Sequence, residues 1–563
     1  MNTTYGIAAM LAVWALPVQA ERIEDRPAVQ NRDAVPLMMS VRLSEADRPV
    51  TSGESLHRSV RKQARRIMPR LGPAPKVHLT GEQIAEAVRG AEAGASGEVL
   101  IVDCHGNYDH DTIQTAIDAA SDGDVIIVLP NTCTEDGHYF ENINFLGKAI
   151  AVQSLLPEDP GTVAATIIDG SWATGDEIEG SVVTINQGEG ASSILDGLTL
   201  MNGKGFKPSP HASNGGGVYC HMSSPTLRNL VIRENTADTY GGGMYVYYGS
   251  PVLANCRFEN NTGNSGGALT FVGNSEPGPV LSHCKFSGNN ATAGGAIHNT
   301  TTRPLFLNCS FIQNEASTGG AIRVQSGRPT LVGCLLAENT SLGSGGAIVA
   351  IAHADTTLVG CTVSNNSAGH GGGAIYTGIC CDTVLANCLL WGNSAPLGPQ
   401  IRMNGFSCNS SLNISYSNIE GGLDDIVIGA NDVVIWGPGN IDFDPLFVNP
   451  FDDYHLSSGS PCIDAADNTA VREGILTDLD GNPRFVDDPD TPDTGNPDGV
   501  NPPIDMGAYE FGSSDSCADD DGDGRVTICH MPPGNPENAH TIRVGVTAAP
   551  AHLAHGDHCG PCE

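Results

Sequence analysis

The stretch Pro251-Val252-Leu253-Ala254-Asn255-Cys256-Arg257-Phe258-Glu259-Asn260-Asn261 decides how this chain folds. It carries a cysteine, an apolar residue two places on, and an asparagine three places after that. The cysteine slot returns as Cys256, Cys284, Cys309, Cys334, Cys361 and Cys388, at intervals of 28, 25, 25, 27 and 27 residues. The apolar slot holds Phe258, Phe286, Phe311, Leu336, Val363 and Leu390; the asparagine slot holds Asn261, Asn289, Asn314, Asn339, Asn366 and Asn393. An earlier copy has Leu230, Ile232 and Asn235. Between copies come Gly-Gly-Ala or Gly-Gly-Gly and an apolar residue: Val218, Met244, Leu269, Ile297, Ile322, Ile348, Ile375. A fixed interval means one structural position visited once per turn of an internal repeat.

Each copy holds short alternating stretches broken by Asn and Gly. Alternation along 251–258 predicts Val252, Ala254, Cys256 and Phe258 on one face. One coil cannot bury that face alone, whereas coils stacked about 4.8 Å apart pair in parallel and bury a continuous column. Asparagine tolerates the left-handed backbone of a coil corner and glycine adopts it freely. The expected fold is all-β: a right-handed parallel β-helix solenoid with a short N-terminal capping helix and small C-terminal modules. Ten or eleven coils would make it about 50 Å long. The cysteine column reads as a buried ladder of small apolar side chains.

The capping helix is expected from Asp111-Thr112-Ile113-Gln114, which has the form of a capping box, with Ile113, Ala116, Ile117 and Ala120 on one helical face. Gly123 ends it and 125–129 forms a strand. Cys104 and Cys133 flank this cap and are expected to pair. Residues 1–20 read as a secretory signal peptide, with an apolar run over 7–18 and Val18-Gln19-Ala20 as a small-residue cleavage site. Residues 21–98 read as a basic linker or propeptide carrying Arg58, Arg61, Lys62, Arg65, Arg66 and Arg70. The β-helix is expected over 99–445, a further module over 446–512, and an acidic loop with a His/Cys-rich tail over 513–563.

With 64 acidic against 28 basic residues the net charge is −36, which disfavours nucleic acid as a partner and favours divalent cations. After residue 20 no run reaches the roughly 18 apolar residues of a membrane span. An exported, monomeric protein at the cell outer membrane, envelope surface or outside the cell is expected. Two metal sites are candidates. Asp519, Asp521 and Asp523 alternate ahead of Gly524 as in a calcium loop, although the twelfth position is His530 rather than Glu. His552, His555, His558, Cys559 and Cys562 supply imidazole and thiolate for a transition metal; disulfide pairing of Cys517, Cys529, Cys559 and Cys562 is the competing reading. No catalytic residues and no other cofactor are expected.

The paired Phe-x-x-Asn and Gly-Gly-Ala-Ile/Leu motifs over 215–395 resemble the repeat of polymorphic outer membrane proteins. The wider stretch 100–445 resembles right-handed parallel β-helix proteins of the pectate-lyase-like superfamily. Asp444-Pro445-Leu446-Phe447, Gly459-Ser460-Pro461-Cys462-Ile463-Asp464 and Asp505-Met506-Gly507-Ala508-Tyr509-Glu510 are similar to a choice-of-anchor Q module. These resemblances imply an envelope location and adhesion to a surface polysaccharide or to a host or neighbouring cell surface. The superfamily also implies an alternative, a polysaccharide lyase or hydrolase. Lyases of that kind use an acidic calcium cluster with an Arg or Lys base, and here Glu234, Glu259, Glu315, Glu338 and Asp382 are scattered over the coils.

Overall fold

The computed structural model describes residues 88–90, 96–134, 136–171, 180–209, 212–405, 408–472, 474–512, 525–530, 540–545 and 558–559. One coil shows how the sequence makes the fold. Val252–Ala254 lies in a first sheet, Arg257–Glu259 in a second, Thr262–Ser265 in a short fourth sheet and Leu269–Val272 in a third, before Val280–Ser282 returns to the first. Among the described residues, repetition builds sheets of 13, 11, 11 and 8 strands, parallel throughout except for one antiparallel hairpin at the edge of the fourth, in a mainly-β solenoid of about 12 turns. The 13 rungs of the first sheet span about 58 Å at about 4.8 Å per step, slightly longer than expected. The additional rungs at either end, such as Val99–Val102 and Val433–Trp436, lack the cysteine and asparagine slots by which coils are counted in the sequence.

The face assignment of 251–258 needs correction. Leu253, Cys256 and Phe258 are fully buried, whereas Val252 is 40% exposed and Ala254 half-buried. Asn255 is the cause: its φ of 54° turns the chain between the first and second sheets, and the alternation restarts on the far side. The corners hold a second surprise. The ladder asparagines are not the left-handed residues; the residue before each is, including Asn260, Gln313, Glu338 and Asn365 at φ 54–57°. The ladder asparagines instead turn inward and bond to one another. Asn289 Nδ2 donates to Asn314 Oδ1 at 2.9 Å and to the Phe258 carbonyl at 2.9 Å, and Asn314 repeats the pattern toward Asn339 and Phe286.

Glycine is required where the fourth sheet turns into the third. A Cβ on Gly295 would lie within 2.1 Å of the Gly320 carbonyl oxygen of the next coil. Inside, Phe258, Phe286 and Phe311 stack with centroids 5.0 and 4.8 Å apart. The column cysteines are buried thiols, and burial pushes those of Cys256, Cys309, Cys334 and Cys388 well up, so they remain protonated. Cys104–Cys133 is a disulfide as expected, and Cys380–Cys408 is a second. Helix Ile113–Ala119 buries Ile113, Ala116 and Ile117 in the first end of the column. Its N-terminal amides are met by Glu141 as well as by the Thr112 cap: the Glu141 carboxylate accepts from Ile113 N and Gln114 N at 3.0 Å.

The segment 446–512 folds along the flank of the solenoid. Phe447, Leu456, Ile463 and Met506 pack on Leu335, Ala337 and Leu389, which point outward from the second sheet. Earlier rungs carry Arg257 and Glu259, then Lys285 and Ser287, in the equivalent outward slots. The switch to apolar residues marks where the segment lies. Polar contacts fix its register: Gly507 N donates to the Asn387 carbonyl, and Ala508 N to Thr362 Oγ1 at 3.0 Å.

Candidate functional site

The third sheet carries the most distinctive outward-facing side chains, one row of them half-open and the row beside it mostly buried. In each of its strands the first and third residues point into the column, so the second and fourth face out. Parallel register lines the outward second positions up as Tyr219, Tyr245, Thr270, His298, Arg323, Val349, Tyr376 and Arg402. A parallel row runs His221, Tyr247, Val272, Thr300, Gln325 and Ile351. Among the described residues of these two rows there is no Asp or Glu; the charged members are Arg323 and Arg402. In a chain of net charge −36 this strip is inverted in sign.

One end of the strip is aromatic. Phe206, from an antiparallel hairpin at the edge of the fourth sheet, stacks on Tyr219 with centroids 4.5 Å apart. Tyr219 lies 5.8 Å from Tyr245, and Tyr240 covers Tyr245 at 5.7 Å. His221 stacks on Tyr247 at 5.0 Å, and Tyr248 meets Tyr247 edge-on at 4.7 Å. Tyr219 and Tyr245 are buried beneath this cover, and burial pushes both phenols up. His221, Tyr240 and Tyr247 are half-open, and Tyr248 is 51% exposed. Such rings offer flat apolar faces with hydroxyls at the rim, and the buried layer fixes their orientation.

The middle of the strip holds one arginine, the half-buried Arg323, and one neutral histidine. Burial, with Arg323 alongside, pulls the His298 ring down to about 4. At the far end, about 24 Å along from Tyr245 at five rungs of about 4.8 Å, lies an open cleft of about 440 Å³ lined by Ile351, His353, Tyr376, Ile379 and Asn404. Asn404 Nδ2 donates to the Tyr376 hydroxyl at 2.8 Å, and the Arg402 guanidinium sits 5.9 Å from the Tyr376 ring centre.

The sequence offers two candidate metal sites, one in the acidic loop and one in the tail. Asp519, Asp521, Asp523, His552, His555 and Cys562 lie outside the described residues. His558 and Cys559 form a short strand beside Cys529 and Ile528, in a small antiparallel sheet with Arg525–His530 and His540–Gly545. Cys104, His105 and Cys133 approach one another, but the two sulfurs are spent on a disulfide. The aromatic strip itself was legible: Gly-Gly-Val-Tyr-Cys-His at 216–221 and Gly-Gly-Met-Tyr-Val-Tyr-Tyr at 242–248 put tyrosines in the slots next to the inward Val218 and Met244. Following the inward slots alone passes over them.

The sequence matches the family described as "Right handed beta helix region" over residues 165–336 and 216–389. Among solved structures it is similar to pectate lyase Pel9A, at 12% identity over 75% of this chain and 99% of that one, with a TM-score of 0.41. It is also similar to pectin methylesterase from carrot, at 13% identity over 61% of this chain and 89% of that one, with a TM-score of 0.29. No curated protein matches it. The strand order of the described residues agrees with that description: parallel sheets stacked coil on coil as a β-helix. No helix among the described residues is long and apolar enough to cross a membrane.

Proposed function

We propose that this is an exported, non-catalytic β-helix protein, secreted or held at the cell surface, that binds a polysaccharide along the outward face of its third sheet. The observation that carries this reading is the fixed aromatic patch continuous with a carboxylate-free, arginine-bearing strip. Sugar rings present apolar C–H faces to aromatic planes and hydroxyls to polar rims, and tyrosine meets both. Arg323 and Arg402 favour a polymer that carries carboxylates, with Arg402 placed for charge-assisted bonding beside the Tyr376 cleft. The polymer would run along the solenoid axis, crossing one rung about every 4.8 Å.

The test is co-sedimentation of the full chain with insoluble neutral and acidic polysaccharides, comparing wild type with a Tyr247→Ala, Tyr248→Ala double variant. Retention on an acidic polymer, reduced about tenfold or more in the variant, is the expected result. Equal retention of both proteins would remove the aromatic face from the account. Release of shortened or unsaturated sugars by wild type would replace binding with the lyase or hydrolase reading.

A further inference from the structure

We propose a calcium site in the flanking segment, formed by Asp464, Asp487 and Asp493, distinct from the acidic loop at 519–523. Carboxylate oxygens of the three lie within 4.8 Å of one another. Asp464 is fully buried, and its Oδ1 accepts no hydrogen bond from the protein. An unpaired buried carboxylate oxygen is costly unless something positive meets it. The groups that bear on it electrostatically are Asp487, Asp493 and Asp488, and its own amide bonds to buried Asp505 Oδ1 at 2.8 Å. Arg484 bears on Asp505 electrostatically.

The loop that brings the other two carboxylates is built around Asp464. Asp488 N donates to Asp464 Oδ2 at 3.2 Å where the loop enters. Thr494 N and Gly495 N donate to the Asp464 carbonyl at 3.0 Å where it leaves. Pro489 and Pro492 fix φ between these anchors. The donor set is all hard oxygen on an irregular loop, with Asp487 and Asp493 open to solvent so that waters complete the shell. That combination suits calcium, which accepts flexible geometry, over magnesium, which demands a near-ideal octahedron. The neighbouring Cys462 and Ile463 are buried against the second sheet, so the ion would tie the loop to the part of the segment that grips the solenoid.

The experiment is calorimetric titration of the metal-free full chain with calcium chloride, alongside thermal unfolding with and without the ion. Three proteins are compared with wild type: Asp487→Asn with Asp493→Asn, Asp464→Asn, and the tail variant Asp519→Asn, Asp521→Asn, Asp523→Asn. The first two should weaken one calcium-binding event by about tenfold or more and abolish its rise in Tm; the tail variant should keep both. Asp464→Asn should also leave the metal-free Tm unchanged or higher, because it removes a like charge from the cluster. Calcium heat and Tm shift that survive in the first variant, or that vanish in the tail variant alone, would overturn the proposal, as would the absence of any calcium response in wild type.

Discussion

Replacing Asn314 by alanine tests whether the asparagine ladder holds the coil corners. Asn314 is fully buried. Its Nδ2 donates to Asn339 Oδ1 at 2.9 Å and to the Phe286 carbonyl at 3.0 Å. Its Oδ1 accepts from Asn289 N at 3.1 Å and from Asn289 Nδ2 at 2.9 Å. Truncation removes all four bonds and strands two buried donors on Asn289. Each such donor costs about 1–3 kcal/mol, so the variant should lose about 4 kcal/mol, before any cavity term. Asn260→Gly is the matched control: Asn260 is exposed at φ 54°, a conformation glycine adopts freely, and the change should cost about 1 kcal/mol or less. The assay is equilibrium urea unfolding followed by circular dichroism. With a slope of about 3 kcal/mol per molar, Asn314→Ala should lower the midpoint by about 1.3 M and Asn260→Gly by about 0.3 M or less. Equal shifts for the two would mean that the ladder is incidental and that the corners are held by backbone conformation alone.

Two further outcomes follow from the geometry. Gly295→Ala should destabilise by about 3 kcal/mol or more, read by the same urea titration, since its Cβ would meet a backbone oxygen of the next coil rather than a side chain able to move. The flanking segment should loosen as pH rises. His455 sits between Asp480, 2.8 Å from Nε2, and Asp453, 2.5 Å from Nδ1, with its ring 4.1 Å from that of Tyr509. The bond to Asp480 foremost, with that to Asp453, raises the imidazole from 6.5 to about 9. A raised pKa gives stability that is full below pH 6.5 and lost as pH climbs through about 9. The unscreened value of about 3 kcal/mol falls to about 1 kcal/mol for a side chain 40% exposed. Asp505, raised from 3.8 to about 7 by burial, works in the same direction at lower pH. Hydrogen-exchange protection factors over 446–512, with the base-catalysed intrinsic rate divided out, should therefore be lower at pH 9.5 than at pH 6, and His455→Gln should flatten the alkaline part of that difference.

The column was legible because its slots repeat in one dimension: Cys256 to Cys388, Phe258 to Leu390 and Asn261 to Asn393 each announce a position that stacking must bury. The Cys104–Cys133 pair was legible for a similar reason, since both flank one short cap. The strand faces were harder. Left-handed Asn255 resets the alternation within one eight-residue stretch, and period-two counting cannot see a single backbone reversal. The left-handed corner residues themselves are chemically mixed, Glu338 and Gln313 among them, so composition does not mark them. The flanking segment depends on pairs such as Thr362 with Ala508, 146 residues apart. Its footprint was written in the outward slots, where Lys285 and Ser287 give way, past Ser310 and Ile312, to Leu335 and Ala337 and, past Thr362 and Ser364, to Leu389 and Trp391, but only a reading of both faces of the second sheet exposes it. The Tyr219–Tyr248 patch went unread for the same reason on the third sheet.

The most direct test of the account is a crystal structure of the full chain with an oligosaccharide cut from whichever acidic polysaccharide retains it best. Sugar rings should lie along the third sheet, one against the open faces of Tyr247 and Tyr248 and a carboxylate within hydrogen-bond reach of Arg323 or Arg402. An oligosaccharide bound on the first or second sheet, or found cleaved between two carboxylates, would contradict it.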